Sequence, residues 1–494
     1  MTRNSCSRMV LESRAALALV LVVLPFSALA RYAQGAAAPS AAYQEIDALA
    51  AAELAKDNVA GVTVGVVSGG GLAWAKSYGY ADTENKVPAA KDTVYRIGSI
   101  TKQFTVLMLL QLVQDGKVHF SDPVEKYFPD VNKVTDRFPG APPITLVQLA
   151  THTSGLAREP GDLDTYVKGP VSDWEKVLIA ALPHTKYEFE PGTRFSYSNI
   201  GYAVLGAALG RAAGQPYVDY VRDRIFKPLG MTSSAFEPND AIKVRISKGY
   251  QQEKDKVDTE TPQQEHLGRG YKVPNGAIYT TVEDLAKFVV FEMGGGPASV
   301  LSKENLAAHY KGIISADANL RSGYGAGFEV FRRGDLVGIG HSGAVAGYEA
   351  AAYFDPSSKT GVIVLRNAIG GPFSAGRLAA AILIKMTAKD VAVQPEARPK
   401  AESSAVKDDA SAYAAFAGQY ELPGLGILTI TSEGNKLFGQ PGEGPREEMI
   451  PQSENQFTVP AAGAQISFVK DANGNVTSLI VKHGNQEIQG KKIK

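Results

Sequence analysis

The chain has 494 residues, more than one domain usually holds and enough for a large core with a smaller second unit. Its 51 Lys and Arg balance 51 Asp and Glu, and no long basic run occurs, so nucleic acid is not an expected partner. A single cysteine, Cys6, excludes an internal disulfide, and the histidines lack the paired spacing of a metal-binding helix, so no metal and no cofactor is expected.

In chain order, Arg3, Arg8 and Arg14 precede an apolar run from Ala15 to about Leu24, with small residues near Ala28 and Ala30. This succession predicts a secretory signal peptide over residues 1–30, since the run is shorter than the roughly 20 residues that span a bilayer. Cys6 would leave with it. The expectation is a bacterial protein, periplasmic or secreted, with no stable membrane span after cleavage.

Two β-branched or apolar runs, Asn58–Gly69 and Gly71–Tyr78, meet at glycines and predict a hairpin. Helical periodicity follows over 102–114, 146–152, 173–181, 199–213, 217–225 and 282–292. Strand signals return at 341–354 and 361–366, parted by the turn-like DPSSKTG. Strands near both ends with helices between them predict an α/β (α+β) fold over 45–388, one antiparallel sheet assembled from both ends and covered by a helical region. Residues 389–409, rich in Ala, Pro, Lys and Glu, read as a linker. Beyond it GILTIT, KLFGQ, NQFTVP, QISFVK and VTSLIVKH alternate in polarity and are parted by turns, which predicts a small antiparallel β-barrel-like domain over 410–494.

Ser99 stands just ahead of the apolar helical run, where it suits either a helix cap or a nucleophile. Lys102 lies one helical turn on, within reach of the hydroxyl, and a core that desolvates it would lower its pKa and make it a proton acceptor. The spacing alone is common: Ser404 and Lys407 repeat it in the linker. Two further stretches add weight. Tyr197 and Asn199 offer a phenol as proton relay and an amide as carbonyl anchor, against a plain reading as core aromatic and helix cap. His341, Ser342 and Gly343 open a glycine-flanked strand that a substrate backbone could approach, with the Ala344 amide aimed at an oxyanion.

Ser99-Ile100-Thr101-Lys102, Tyr197-Ser198-Asn199 and His341-Ser342-Gly343, in that order, resemble the motifs of the penicillin-recognising serine hydrolases. The similar branch is the class C beta-lactamase-like group, with its D-aminopeptidases, DD-peptidases and family VIII esterases. LATHTSGL, FEPGTRFSYSNIGYAVLG, FKPLGM and NGAIYTTVEDLAKF extend the likeness over about residues 45–385. The resemblance implies a beta-lactamase/transpeptidase-like fold and a serine hydrolase without cofactor. By position, Ser99 would be acylated and Lys102 would activate it. Tyr197, held as a partial phenolate or strong acceptor by Lys102, would pass the proton to the leaving group and later activate water. Asn199 would bind a substrate carbonyl, His341, Ser342 and Gly343 would line the substrate, and the amides of Ser99 and Ala344 would form the oxyanion hole. His152 in THTSG would support the loop, and no Gly-x-Ser-x-Gly elbow is present.

The departure is His341, where beta-lactamases usually carry lysine. Histidine is largely neutral at pH 7 and offers a hydrogen bond in place of a cation for a carboxylate. The implied substrate is therefore a small ester or peptide, D-residues and peptidoglycan fragments included. The alternatives are a class C-type beta-lactamase and a slowly acylating muropeptide sensor without turnover. The C-terminal domain resembles lipocalin-like modules of related peptidases, and fits an access-restricting role as well as a packing or oligomerisation one.

Overall fold

The computed structural model describes residues 41–493 except 56–59, 136, 254–255, 259–267, 317–320, 372, 388–412, 423–425, 435, 442–445, 453–454, 460–463, 472–473 and 484–485. The predicted signal peptide with Cys6, the linker and its Ser404 and Lys407 lie outside the described residues. The central sheet contains β1 (Gly61–Ser68), β2 (Gly71–Asp82), β3 (Val87–Pro88), β4 (Ile313–Ala316), β5 (Ser322–Gly325), β6 (Glu329–Arg333), β7 (Leu336–Val345), β8 (Tyr348–Asp355) and β9 (Thr360–Arg366). Their order is β3-β2-β1-β9-β8-β7-β6-β5-β4, so the N-terminal hairpin closes onto the strands from the far end of the unit. The pairing β1–β9 is antiparallel, with Val64 opposite Val364. Nearly every residue of both strands is buried, which is why their apolar runs are continuous rather than alternating.

Helix α1 (Thr101–Gln114) is buried from Thr101 to Leu112, all round, as its lack of a polar face requires. It packs against α2 (Asn199–Ala213) and the short turn Val273–Gly276. Ser198, not Asn199, caps α2, its side chain accepting from the Gly201 amide, and Gly214 ends the helix in the left-handed conformation. Helix α3 (Val282–Val290) packs on β1, β2 and β9, and α4 (Ala375–Thr387) packs on β7, β8 and β9. These helices anchor the strands that carry the site.

Four predicted elements differ in detail. The strand predicted over 341–354 is a hairpin, because the chain turns at Ala346 and Gly347, the latter with φ 76, between β7 and β8. The helix from Leu146 stops at Ala150, because His152 takes φ 58 and turns the chain. The helices predicted to Ile225 and Glu292 end at Val221 and Val290, and each passes into a wide π turn, Arg222–Phe226 and Phe291–Gly295. Apolar residues continue through both turns, so periodicity alone does not register the extra residue. Strands β4–β6 and helix α4 had no separate signal.

The C-terminal residues form a closed barrel of β10 (Gly418–Leu422), β11 (Gly426–Glu433), β12 (Lys436–Pro441), β13 (Glu447–Pro451), β14 (Gln456–Val459), β15 (Ala464–Lys470), β16 (Val476–His483) and β17 (Gln486–Lys492). The strands follow one another around the wall, and β10 pairs with β17 through Tyr420–Lys492 and Glu421–Lys491. Closure removes both exposed edges. Its interior is filled: Phe416 stacks on Phe468 at 4.4 Å, and Phe457 meets both edge-on. Among the described residues no helix is long and apolar enough to cross a membrane, and no three His, Cys, Asp or Glu side chains gather as a metal site.

Candidate active site

Ser99 lies in the tight turn Gly98–Ile100 that leads into α1. Its side chain caps nothing: the first turn has no side-chain cap, so the capping reading fails. Two glycines fix what faces it. A Cβ on Gly98, which has φ 50, would lie 2.8 Å from the Ala344 nitrogen, and one on Gly343 would lie 2.0 Å from the Ile97 carbonyl oxygen. The bare backbones let β7 press against the Ser99 turn, and the Ser99 and Ala344 amides therefore belong to one wall.

Lys102 is fully buried. Its Nζ is 3.1 Å from Ser99 Oγ, 2.8 Å from Asn199 Oδ1 and 3.2 Å from the Asn275 carbonyl oxygen. The Asn199 orientation is unambiguous, because its Nδ2 donates to Glu159 Oε1 at 2.7 Å. Burial pushes the Lys102 amine well below the usual lysine range, with the Glu159 charge opposing and Arg158, Lys272 and Arg269 assisting. A neutral amine has two N–H bonds and one lone pair. Asn199 Oδ1 and the Asn275 carbonyl can only accept, so they take the N–H bonds and leave the lone pair for the Ser99 hydroxyl.

Tyr197 lines the same cleft as Ser99. Lys102 Nζ lies 4.7 Å from the centre of the Tyr197 ring and the Arg158 guanidinium 4.9 Å, so both groups face the π system. Of the two expectations for Tyr197, partial phenolate or strong acceptor, burial opposes the phenolate, since it raises the phenol pKa. Behind it His152 packs 4.2 Å away ring to ring, and its Nδ1 accepts from the Ser198 amide. Burial keeps this imidazole neutral, as a support for the Tyr197 loop rather than a base.

Asn199 serves Lys102 with its Oδ1 and Glu159 with one of its two Nδ2 N–H bonds, and it lines the cleft beside Ser99. Glu159 also accepts from Lys272 Nζ at 2.9 Å and from the Tyr271 hydroxyl. On the opposite wall both ring nitrogens of His341 are engaged, Nε2 with the Tyr324 hydroxyl at 3.0 Å and Nδ1 with the Ser342 carbonyl. The imidazole is buried and held neutral by that burial, against the pull of Glu329, so the expected His341 hydrogen bond to substrate is replaced by a structural one. Ser342 Oγ donates to Glu329 Oε1 at 3.0 Å, and the Tyr353 hydroxyl donates to Oε2 at 2.5 Å.

These groups line a cleft of about 710 Å³ that holds Ser99, Tyr197, Asn199, His341, Ser342, Gly343 and Ala344 together with the unpredicted Arg158, Glu159, Lys272 and Glu329. Asn275, which completes the Lys102 shell, stands in the NGAIYTTVEDLAKF phrase but had no motif of its own. Glu159 and Glu329 had no sequence signal, since each is recognised only by what the fold sets beside it.

The Beta-lactamase family model matches residues 46–386, and a domain of unknown function, DUF3471, matches 402–494. "Protein flp" of Staphylococcus aureus (strain MRSA252) is 27% identical over 336 residues, 66% of this chain and 62% of that protein. The chain thus spans under two thirds of that relative. "Beta-lactamase-like protein 2" of Dictyostelium discoideum is 31% identical over 59% of this chain and 52% of its own. The octameric penicillin-binding protein homologue from Pyrococcus abyssi superposes with TM-score 0.62 at 24% identity, over 91% of this chain and 100% of that one. A D-amino acid amidase from Ochrobactrum anthropi SV3 superposes with TM-score 0.57 at 24% identity, over 70% of this chain and 96% of that one. The fold is that of the beta-lactamase-type serine hydrolases. The chain belongs to the Beta-lactamase family.

Proposed function

We propose that this chain is an exported serine hydrolase that forms an acyl-enzyme on Ser99 and acts on small esters or peptides, including those with D-residues. The observation that carries the reading is the Lys102 amine, buried and 3.1 Å from Ser99 Oγ with its other two directions already taken. Lys102 accepts the hydroxyl proton as Oγ attacks the carbonyl. The new oxyanion accepts hydrogen bonds from the Ser99 and Ala344 amides, each donor contributing about 3 kcal/mol. Tyr197 then protonates the leaving group, and its transient negative charge is faced by Lys102 and Arg158. In the second half Tyr197 takes a proton from water, the hydroxide attacks the ester, and Ser99 leaves with the proton held by Lys102.

The charge pattern favours esters and amides over penicillins. A carboxylate beside Ser342 would meet neutral His341, where beta-lactamases usually carry lysine, and the Glu329 side chain that Ser342 Oγ binds. The D-amino acid amidase among the structural neighbours supports keeping D-aminoacyl compounds in the substrate class. The leader pattern of residues 1–30 supports export to the periplasm or beyond.

The test is covalent labelling by a fluorescent fluorophosphonate, followed by turnover of p-nitrophenyl esters, D- and L-aminoacyl nitroanilides, D-Ala-D-Ala peptides and nitrocefin. Wild type should label and turn over an ester or an aminoacyl amide, and folded Ser99→Ala should do neither. Labelling that survives in Ser99→Ala overturns the nucleophile. Nitrocefin turnover without ester or amide turnover assigns a beta-lactamase instead, and one acylation per chain with no further product assigns a sensor.

A further inference from the structure

Glu159 and Lys272 lie one residue removed from the reacting groups, joined to Lys102 through the Asn199 amide. Lys102 Nζ to Asn199 Oδ1 is 2.8 Å, Asn199 Nδ2 to Glu159 Oε1 is 2.7 Å, and Lys272 Nζ to the same Oε1 is 2.9 Å. The Tyr271 hydroxyl binds the other Glu159 oxygen. The Glu159 and Lys272 side chains are 20% and 13% exposed, so water screens this chain of contacts weakly.

We propose that Glu159 and Lys272 are positioning residues that set the proton affinity of Lys102, Glu159 holding the Asn199 amide oriented and Lys272 offsetting the Glu159 charge. This rests on the reading of Lys102 as the base for Ser99. A carboxylate alone at this distance would favour the ammonium form and silence the base. An apolar group there, with no acceptor, would leave Asn199 free to turn its Nδ2 toward Lys102, presenting a donor to a donor. The paired carboxylate avoids both outcomes. It grips the amide as a strong acceptor while its charge is balanced from outside.

The remaining charged and titratable groups around Lys102 come from every packed segment. Arg158 adjoins Glu159, and Arg269 and Tyr271 precede Lys272. Tyr197 and Tyr202 present their rings at 4.7 and 5.4 Å, and His152 and His341 lie behind. Both imidazoles are held neutral by burial, so they add no charge. Glu159 is the group that raises the Lys102 proton affinity, while Arg158, Lys272 and Arg269 lower it. Removing charges of opposite sign must therefore move Lys102 in opposite directions.

The measurement is the pH dependence of the second-order rate of Ser99 labelling by a fluorophosphonate, which needs no knowledge of the natural substrate. Its acid limb reports deprotonation of Lys102. Glu159→Gln, which keeps an acceptor for Asn199 but no charge, should move the limb down by about one pH unit. Lys272→Met should move it up by a similar amount. Glu159→Ala should in addition lower the plateau rate at least tenfold, and Glu159→Gln should recover most of that plateau. Limbs that stay in place, or move the same way in Glu159→Gln and Lys272→Met, overturn the proposal. If one of these variants does not fold, the sign of the shift in the other decides. A wild type that does not label fails the nucleophile reading itself, a different result from normal labelling with unmoved limbs.

Discussion

At Lys102 the proposed acyl transfer depends on an amine held neutral where arginine could not be. Lys102→Arg keeps much of the length, but guanidinium stays protonated and cannot take the Ser99 proton. Its labelling rate is expected to fall by about 10²- to 10⁴-fold, as for loss of a general base, and no better than Lys102→Met. A labelling rate preserved in Lys102→Arg would remove Lys102 from the base role. Tyr197→Phe keeps the ring against His152, Lys102 and Arg158 and removes only the hydroxyl. With a p-nitrophenyl ester, whose leaving group needs no proton, acylation should continue while deacylation stalls. Intact-mass spectra should then show acyl-enzyme at steady state, absent from wild type. The Ser-x-x-Lys spacing and Tyr197 were legible because residues a turn apart, or at the head of a helix, have local consequences. The actual bonds of Asn199 and His341 were not, since each depends on a carboxylate or phenol brought from elsewhere in the chain.

The wide turn Phe291–Gly295 at the end of α3 carries Glu292 into the core, where the Tyr310 hydroxyl binds it. Burial raises its carboxyl to about 8. In the unfolded chain the carboxyl ionises near 4.5, so between these values the folded state binds the extra proton and stability falls as pH rises. Below that window both states are protonated, and above it both are ionised. Glu292→Gln keeps an acceptor for Tyr310 and removes the titration. It should be more stable than wild type at pH 8 by on the order of a few kcal/mol, with little difference at pH 4.5. Urea unfolding at both values checks this, and parallel pH profiles would refute it. The helix leading into the turn was visible in its periodicity, yet the extra residue that buries a carboxylate was not. The same limit applies at the sheet: strand signal was read over 341–354, but the turn that parts β7 from β8 was not, and the approach of β7 to Ser99 depends on the missing side chains of Gly98 and Gly343.

Over the whole molecule, the barrel has its own closed hydrogen-bonded wall and its own aromatic core, separate from the core around α1. Phe468→Ala removes the ring that stacks on Phe416 and should destabilise the barrel by about 3–5 kcal/mol. Calorimetry should show one transition lowered, with Ser99 labelling at 25 °C retained. Loss of labelling in proportion to the lowered transition would show that the two cores unfold as one. Inside the closed wall Phe416, Phe457 and Phe468 pack on one another as the centre of the barrel core.

By itself the sequence determined the apolar strands, the buried α1 and the order of the three motifs, because periodicity and one-turn spacing are properties of neighbouring residues. It also determined five of the barrel strands through their alternation, while β10, β13 and the closing strand β17 emerged only with the closed wall. Tertiary structure alone decided which groups touch the base. Lys102 meets Asn199 across 97 residues and the Asn275 carbonyl across 173, and Asn199 meets Glu159 across 40. No local pattern encodes such pairings, since burial and charge act through space, and only the folded chain sets which oxygen faces which nitrogen.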